Sequence, residues 1–594
     1  MRSRHFFRIA LMFAYASPLA SQQQTAKALL DRALHFADLY NWAEAASFFA
    51  RAEQLYIDSG DQRNALYARL GRIRSNVEQD QQSLPAVSGQ LADALEDDPI
   101  LKTDKEVRMF CLIVKGDIDT ETNTGAMRKD WEQVQSLARE LGNKKWQYRA
   151  LAQLGIAAFY DGDLEGSRTR VATALAAATD AGDTGAQIRI LTIVARGLVQ
   201  SKMFEQALAS AENIVKLAAH TPDAGYQFSA KELCIEAFIG LRRFDAAQKI
   251  ADEALKRATE AGRVSHQGSI LYLAADIAFA QSDHERAIAI LKQAIDLGKS
   301  AGLTRLLADT YARATEIYRK TGDLAAAEDA AASAAASTQA CGDMWAVPQR
   351  LQELAELHLA RGRYQDADGV YDRAETFLDA MIGSVSTVMD KTAIITASSQ
   401  IYAQHFALVA QRFDDPVKAY SIIEQVRGRV ASDLLASGTV STPEAKGVER
   451  AISQLRLKLM STRSTNELRS LRDQILMVEQ TRWVNSGVTM LKRGLRENIG
   501  IEQVQKVLPA SAVLLEYVLA EPNSYCLAIS GLSRRLIPLT GKSKIETLVS
   551  AYLKAVKAKK PAVAEARSLY DSLLRPIREA VQKSTLIVVR DGSA

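Results

Sequence analysis

The sequence predicts a mostly α-helical protein: a right-handed α-solenoid of helical hairpins over residues 25–379, then a helical linker, then the opening part of an α/β domain. Three observations predict the solenoid. Small residues recur every 40 positions, at Ser167, Ala207, Ala247, Ala287, Ala327 and Ala367. A large side chain stands three residues before each, at Leu164, Phe204, Phe244, His284, Leu324 and Tyr364. Glycines keep the same step at Gly142, Gly182, Gly262, Gly302 and Gly342, with Pro222 where the series skips. A fixed period of this length marks a repeat array, in which each unit buries its apolar face only when a neighbour stacks on it.

The period assigns the parts of each unit. The large residue opens the second helix and fills the gap beside the first. The small residue one turn later lets the two helices approach closely. The glycine ends the second helix in a left-handed cap, a conformation open to glycine without a Cβ clash. From Ala45 to Ser167 there is room for two further units, near Ala86 and Ala126, distorted at Pro85 and at Asn123-Thr124-Gly125. About nine units are expected, and the residues expected to pack them are Trp42, Ala45, Ser167, Ala207, Phe244, Ala247, Ala287, Ala327, Tyr364 and Ala367.

Composition agrees with a folded helical chain. Of 594 residues, 47% are hydrophobic, 24% charged and only 12 are proline. The net charge of +4 hides an asymmetry: residues 441–594 hold 25 Lys and Arg against 14 Asp and Glu, so the remainder is negative. Two oppositely charged parts imply two units with different tasks. The basic excess is dispersed except at Lys554, Lys557, Lys559 and Lys560, where cations suit a helix C-terminus, so no nucleic-acid partner is expected. Cys111, Cys234, Cys341 and Cys526 form no CxxC pair and read as buried thiols. His220, His266, His284 and His358 are scattered, and no glycine-rich phosphate loop appears, so neither metal nor cofactor is expected. At the N-terminus, Arg2, Arg4 and Arg8 precede the apolar run 9–16, with Ala14-Tyr15-Ala16 as a cleavage site. Residues 1–24 are therefore either a signal peptide or a frayed start, which leaves the location open between cytoplasm and export. No other segment has the length and apolarity to span a membrane.

Beyond residue 379 the period breaks. Residues 380–411 read as one long helix, Asp414-Asp415-Pro416 as the start of another, and 438–444 as a loop. Residues 448–483 carry apolar side chains at three- and four-residue steps, with coiled-coil character. The linker is placed at 380–500 and the α/β segment at 501–594. The latter holds strands at 512–519, 525–529 and 535–539, helices at 543–558 and 561–581, and a continuous apolar run at 585–589 that reads as a buried strand.

Two resemblances follow from these residues. Asn41-Trp42-Ala43-Glu44-Ala45 with Phe49 and Ala52, and Arg363-Tyr364-Gln365-Asp366-Ala367 with Tyr371 and Ala374, resemble the tetratricopeptide repeat, in a variant lengthened by nearly a helical turn. HEAT-type repeats share the length, but the turn pattern favours the tetratricopeptide type. The last 180 or so residues resemble the CHAT family, caspase-like cysteine peptidase domains that follow tetratricopeptide arrays. The likeness rests on the helix 419–429, on Leu514-Leu515-Glu516-Tyr517, on Leu569-Tyr570-Asp571-Ser572-Leu573-Leu574-Arg575-Pro576-Ile577, and on Val588-Val589-Arg590-Asp591-Gly592, where the family usually has Pro-Asp-Gly.

The resemblance implies a histidine and a cysteine after that last strand, where this chain ends. No catalytic residue is carried over, the domain is expected to be cut short, and no peptidase activity is expected of this chain. The partner is expected to be a protein or peptide held in the concave groove of the solenoid. The alternatives are a non-catalytic tetratricopeptide adaptor and a ligand-sensing regulator.

Overall fold

The computed structural model describes residues 18–77, 84–122, 124–160, 163–221, 223–384, 388–425, 500–580 and 585–589, with a few isolated positions between 454 and 474. The chain divides into two compact units, Met1–Asp343 and Met344–Ala594.

The first unit is an array of paired helices, and from α8 onward the pairs follow the 40-residue register. It begins with α1 (Pro18–Asp38) and α2 (Trp42–Asp58), then α3 (Gln62–Val77) and α4 (Leu84–Asp97), a short α5 (Pro99–Thr103), and α6 (Lys105–Thr122) with α7 (Thr124–Glu140). The regular pairs are α8 (Lys144–Tyr160) with α9 (Leu164–Asp180), α10 (Thr184–Gln200) with α11 (Phe204–Ala219), α12 (Gln227–Gly240) with α13 (Phe244–Glu260), α14 (Val264–Ala280) with α15 (His284–Ala301), and α16 (Thr304–Thr321) with α17 (Leu324–Cys341). This is the tetratricopeptide-type solenoid.

Local chemistry sets these boundaries. Second helices begin at the large residue of each repeat, and in three of them an aspartate just before it caps the first turn: Asp163 accepts from the Gly166 amide, Asp283 from Arg286 and Asp323 from Ala326, while Met203 and Arg243 make no such side-chain cap. Gly142, Gly182, Gly262, Gly302 and Gly342 all have φ between +63° and +81°. A second left-handed series lies inside the hairpins, at Tyr40, Lys202, Arg242, Ser282, Gly322 and Gly362. It escaped the glycine periodicity because bulky residues fill it at four of those positions.

Ala45, Ala207, Ala247, Ala287 and Ala327 are wholly buried where paired helices meet. Ser167 is only half-buried, and Leu164, which opens its helix, is 59% exposed. The large residues do not all serve one contact. His284 lies beside Phe279 of its own first helix, whereas the Phe204 ring lies against Gly240 of the following hairpin, 2.4 Å from where a Cβ would stand. The region around Ala86 departs from the regular pairing. There α4 packs on α5 and α6, while α3 packs on α2 and α6.

The second unit opens with α18 (Val347–Ala360) and α19 (Tyr364–Ser384), in which Ala367 is wholly buried and Tyr364 half-buried. The expected single helix over 380–411 is replaced by two. Helix α19 stops at Ser384, and α20 (Val388–Leu408) folds back on it before one π turn, Val409–Phe413. The reason is the side-chain chemistry of His405, described below. A helix over residues 416–425 follows, begun by Asp415 accepting from the Val417 and Lys418 amides. The expected loop 438–444 and coiled-coil segment 448–483 lie outside the described residues, apart from isolated positions.

The C-terminal sheet has the order β3-β2-β1-β4, with β1 (Ala512–Val518), β2 (Asn523–Ile529), β3 (Arg534–Thr540) and β4 (Thr585–Val589). The first three form antiparallel pairs, and β4 lies parallel to β1 with Leu514 opposite Ile587. Helices Lys542–Lys557 and Val563–Leu573 make the crossover, the second stopping well short of residue 581. Val513, Leu515, Cys526, Ala528, Leu539 and Ile577 form the core. The expectation of a buried β4 is corrected: Leu586, Ile587 and Val588 are 41–58% exposed, because among the described residues β4 is an edge strand with one neighbour.

Replacing Ala247 by Leu overpacks the α12–α13 contact and lowers stability by about 1–3 kcal/mol. Leu164→Ala, at an exposed position, stays within about 0.5 kcal/mol of the parent chain. Thermal melts followed by circular dichroism check both.

Candidate functional site

The face that matters in the first unit is the one shared by its first helices. Asp117 of α6 reaches Arg74 of α3 at 2.9 Å and Arg189 of α10 at 3.7 Å. First helices far apart in sequence therefore converge there, which makes this the inner face of the coil. Arg196 lies two turns beyond Arg189 on the same stripe of α10, since seven residues return a helix to one face.

From Arg196 the 40-residue register carries the stripe to Glu236, Asp276 and Glu316, one on each following first helix. They form an electrical row. Burial pushes the Glu236 carboxyl up to about 7, with Arg196 opposing and Asp276 adding to the rise. Burial likewise lifts Asp276 to about 6 against the pull of Arg313, which lies 2.7 Å from it. Arg313 also pairs with Glu316 and lies against the rings of Tyr272 and Phe279.

On the α8–α12 side, that face is already covered. The turn between α1 and α2 lies on the N-terminal ends of α8, α10 and α12. Arg149 donates to the Asp38 carbonyl oxygen at 3.0 Å and to both Asp183 oxygens. Burial alone would raise the Asp183 carboxyl, but the Arg149 hydrogen bonds hold it below its usual range. The ring of Tyr40 is buried against two guanidinium groups, 5.1 Å from Arg149 and 5.7 Å from Arg189. Burial raises its phenol to about 12. Trp42, expected as a repeat-packing residue, stacks on Phe49 and lies beneath the Arg74 guanidinium.

The four cysteines offer no nucleophile of ordinary reactivity. All are buried, and burial lifts the thiols of Cys111 and Cys526 to about 12 and that of Cys234 to about 11. A low thiolate fraction makes a poor nucleophile.

One constellation escaped sequence reasoning. In the second unit His405 is wholly buried, its Nδ1 2.6 Å from Glu375 and its Nε2 3.0 Å from Asp368, with Tyr371 stacked on the ring. Lys418 of helix 416–425 donates to Asp368 and Asp372 at 2.7 and 3.0 Å. Asp372, Glu375 and His405 have ligand atoms within 4.8 Å of one another and are the group able to hold a metal ion among the described residues. The Lys418 ammonium already supplies a cation there, and both imidazole nitrogens face carboxylates. The cluster therefore fits an ion-paired imidazolium joining α19, α20 and the next helix. Asp368, Asp372 and Glu375 stand on one stripe of α19, which was legible; their meeting with a histidine 30 residues beyond Glu375 was not.

No family model matches the chain, and no curated protein sequence does. Solved structures do. The chain is similar to a Rap protein crystallised with competence and sporulation factor, at 12% identity and a TM-score of 0.42, over 61% of this chain and 98% of that one. It is similar to yeast Tom70 at 13% identity and a TM-score of 0.34, over 68% and 100%. A STAND protein with a tetratricopeptide repeat sensor from Pyrococcus horikoshii aligns at 11% identity and a TM-score of 0.34, over 77% and 74%. Among the described residues no helix has the length and apolarity to cross a membrane.

Two pH effects follow. Glu236 has a folded value raised to about 7, so it costs stability as pH climbs from the unfolded carboxyl value through 7. Glu236→Gln is therefore more stable than the parent at pH 8 and equal to it at pH 4 in paired thermal melts. Burial alone would lower the His405 imidazole, but its bonds to Glu375 and Asp368 lift it above its usual value. Its contribution is complete below the unfolded value of about 6.5 and is lost as pH rises through the raised folded value. His405→Gln should lose about 3 kcal/mol at pH 6, with a gap that narrows at alkaline pH in urea titrations.

Proposed function

We propose that the chain is a protein-interaction scaffold that holds a protein or peptide segment on the inner face of α12, α14 and α16. The observation that carries this reading is the row Arg196, Glu236, Asp276 and Glu316. Its members repeat once per hairpin, face one way and, at Glu236 and Asp276, keep carboxyls that burial raises rather than stabilises. A repeat array offers such a row to an extended chain whose own groups repeat along its length.

The test is a displayed random-peptide library selected against the full chain, then measured on a variant with Glu236, Asp276 and Glu316 all replaced by Lys. Peptides that lose at least about tenfold in affinity on the variant support the reading. Binders indifferent to the change, or no binders, overturn it.

We also propose the finer reading of residues 501–594, the opening part of a CHAT-type caspase-like α/β domain. Its support is the parallel β1–β4 pairing across two crossover helices, and an exposed apolar β4 edge of the kind that accepts a further strand. Reading the coding sequence past Ala594 tests this. A frame with a histidine and then a cysteine after apolar strands favours it, and an immediate stop codon removes it.

A further inference from the structure

The first hairpin makes contacts that its own repeat packing does not require. The Gly225 amide donates to the Leu39 carbonyl oxygen at 2.9 Å, and Asn41 Nδ2 donates to the Asp223 carbonyl oxygen at 3.0 Å. His35 meets Asp223 at 2.8 Å, Lys145 meets Asp38 at 2.8 Å, and Arg263 pairs with Glu44. The fit is close on the receiving side. A Cβ on Gly185 would stand 2.3 Å from the Asp38 carbonyl oxygen, and one on Gly225 2.2 Å from that of Tyr40. Neither glycine has a positive φ, so nothing in its own backbone asks for glycine. The two stand 40 residues apart but outside the cap series, one at the head of α10 and one just before α12.

The receiving surface is thus built to one shape. It has two Cβ-less positions that admit a carbonyl-bearing turn, two guanidinium groups that lie against an aromatic ring, and Asp183 and Tyr226 to hold those groups in place. Arg149 and Arg189 are stacked cations of the kind that bind an aromatic face. These features belong to a binding site, and the chain supplies its own occupant.

We infer that the α1–α2 turn, Asp38-Leu39-Tyr40-Asn41, is an internal ligand of the solenoid, and that the site on α8, α10 and α12 takes a reverse turn bearing an aromatic side chain. An external segment of that chemistry reaches this half of the inner face only by displacing the first hairpin. The inference extends the scaffold reading, which concerns α12 to α16, to the neighbouring half of the same face.

Two variants of the full chain test it from opposite sides. Tyr40→Ala with Asn41→Ala weakens the occupant and leaves the site intact. Gly225→Ala places a methyl group in the site. Both should speed amide hydrogen exchange at the N-terminal turns of α8, α10 and α12 by at least about tenfold, with α16 and α17 unchanged. A synthetic peptide of residues 25–58 should restore protection in the turn variant, fail to do so in Gly225→Ala, and bind the parent chain at least about tenfold more weakly than the turn variant. Unchanged exchange, loss of protection throughout the unit, or a peptide that does not discriminate these proteins overturns the inference. The exchange readout needs no partner, so it fails independently of the scaffold reading.

Discussion

Everything in the first unit depends on how closely two helices lie at one small residue per repeat. Ala207, Ala247, Ala287 and Ala327 are wholly buried, and each stands one turn inside a second helix. With only a methyl group between the backbones, the helices approach closely enough for the next pair to stack in the same orientation. The angle repeats because the residue repeats, and a repeated angle closes into a coil. Once the coil exists, the inner stripe of every first helix faces the same space, and side chains hundreds of positions apart in sequence become neighbours.

That closure explains why so many charged groups are buried in this array of helices. Arg74, Asp117, Arg149, Asp183 and Arg189 lie where first helices converge on the first hairpin. A buried charge is tolerated only when paired and hydrogen-bonded, and each of these has a partner across the coil. Such groups make poor generic glue but good registration marks, because a shifted hairpin leaves them unpaired. In the second unit His405 acts in a similar way. By facing Glu375 and Asp368 together it turns what reads as one long helix back on itself.

Much of this was legible in the chain, and the limits are physical. The 40-residue step located the second helices and the glycine caps, since both follow from short-range geometry. The second left-handed series was invisible because Tyr40, Lys202, Arg242 and Ser282 adopt positive φ without being glycine. The expected continuous helix over 380–411 failed because helical propensity is local, while a buried imidazole hydrogen-bonded to two carboxylates is a tertiary contact. The apolar run of β4 forms the strand the sequence predicts, but burial depends on neighbours, and among the described residues β4 has one.

By itself the sequence determined that this protein is a solenoid of helical hairpins with a small sheet near its C-terminus, because periodicity and turn chemistry act over a few residues. Only the tertiary structure decided what the inner face carries. It set Glu236 within the fields of Arg196 and Asp276, laid Tyr40 against Arg149 and Arg189, and opposed Gly185 and Gly225 to the carbonyl groups of the first hairpin. Those meetings arise from the accumulated rotation of successive repeats, a quantity that no short stretch of sequence contains.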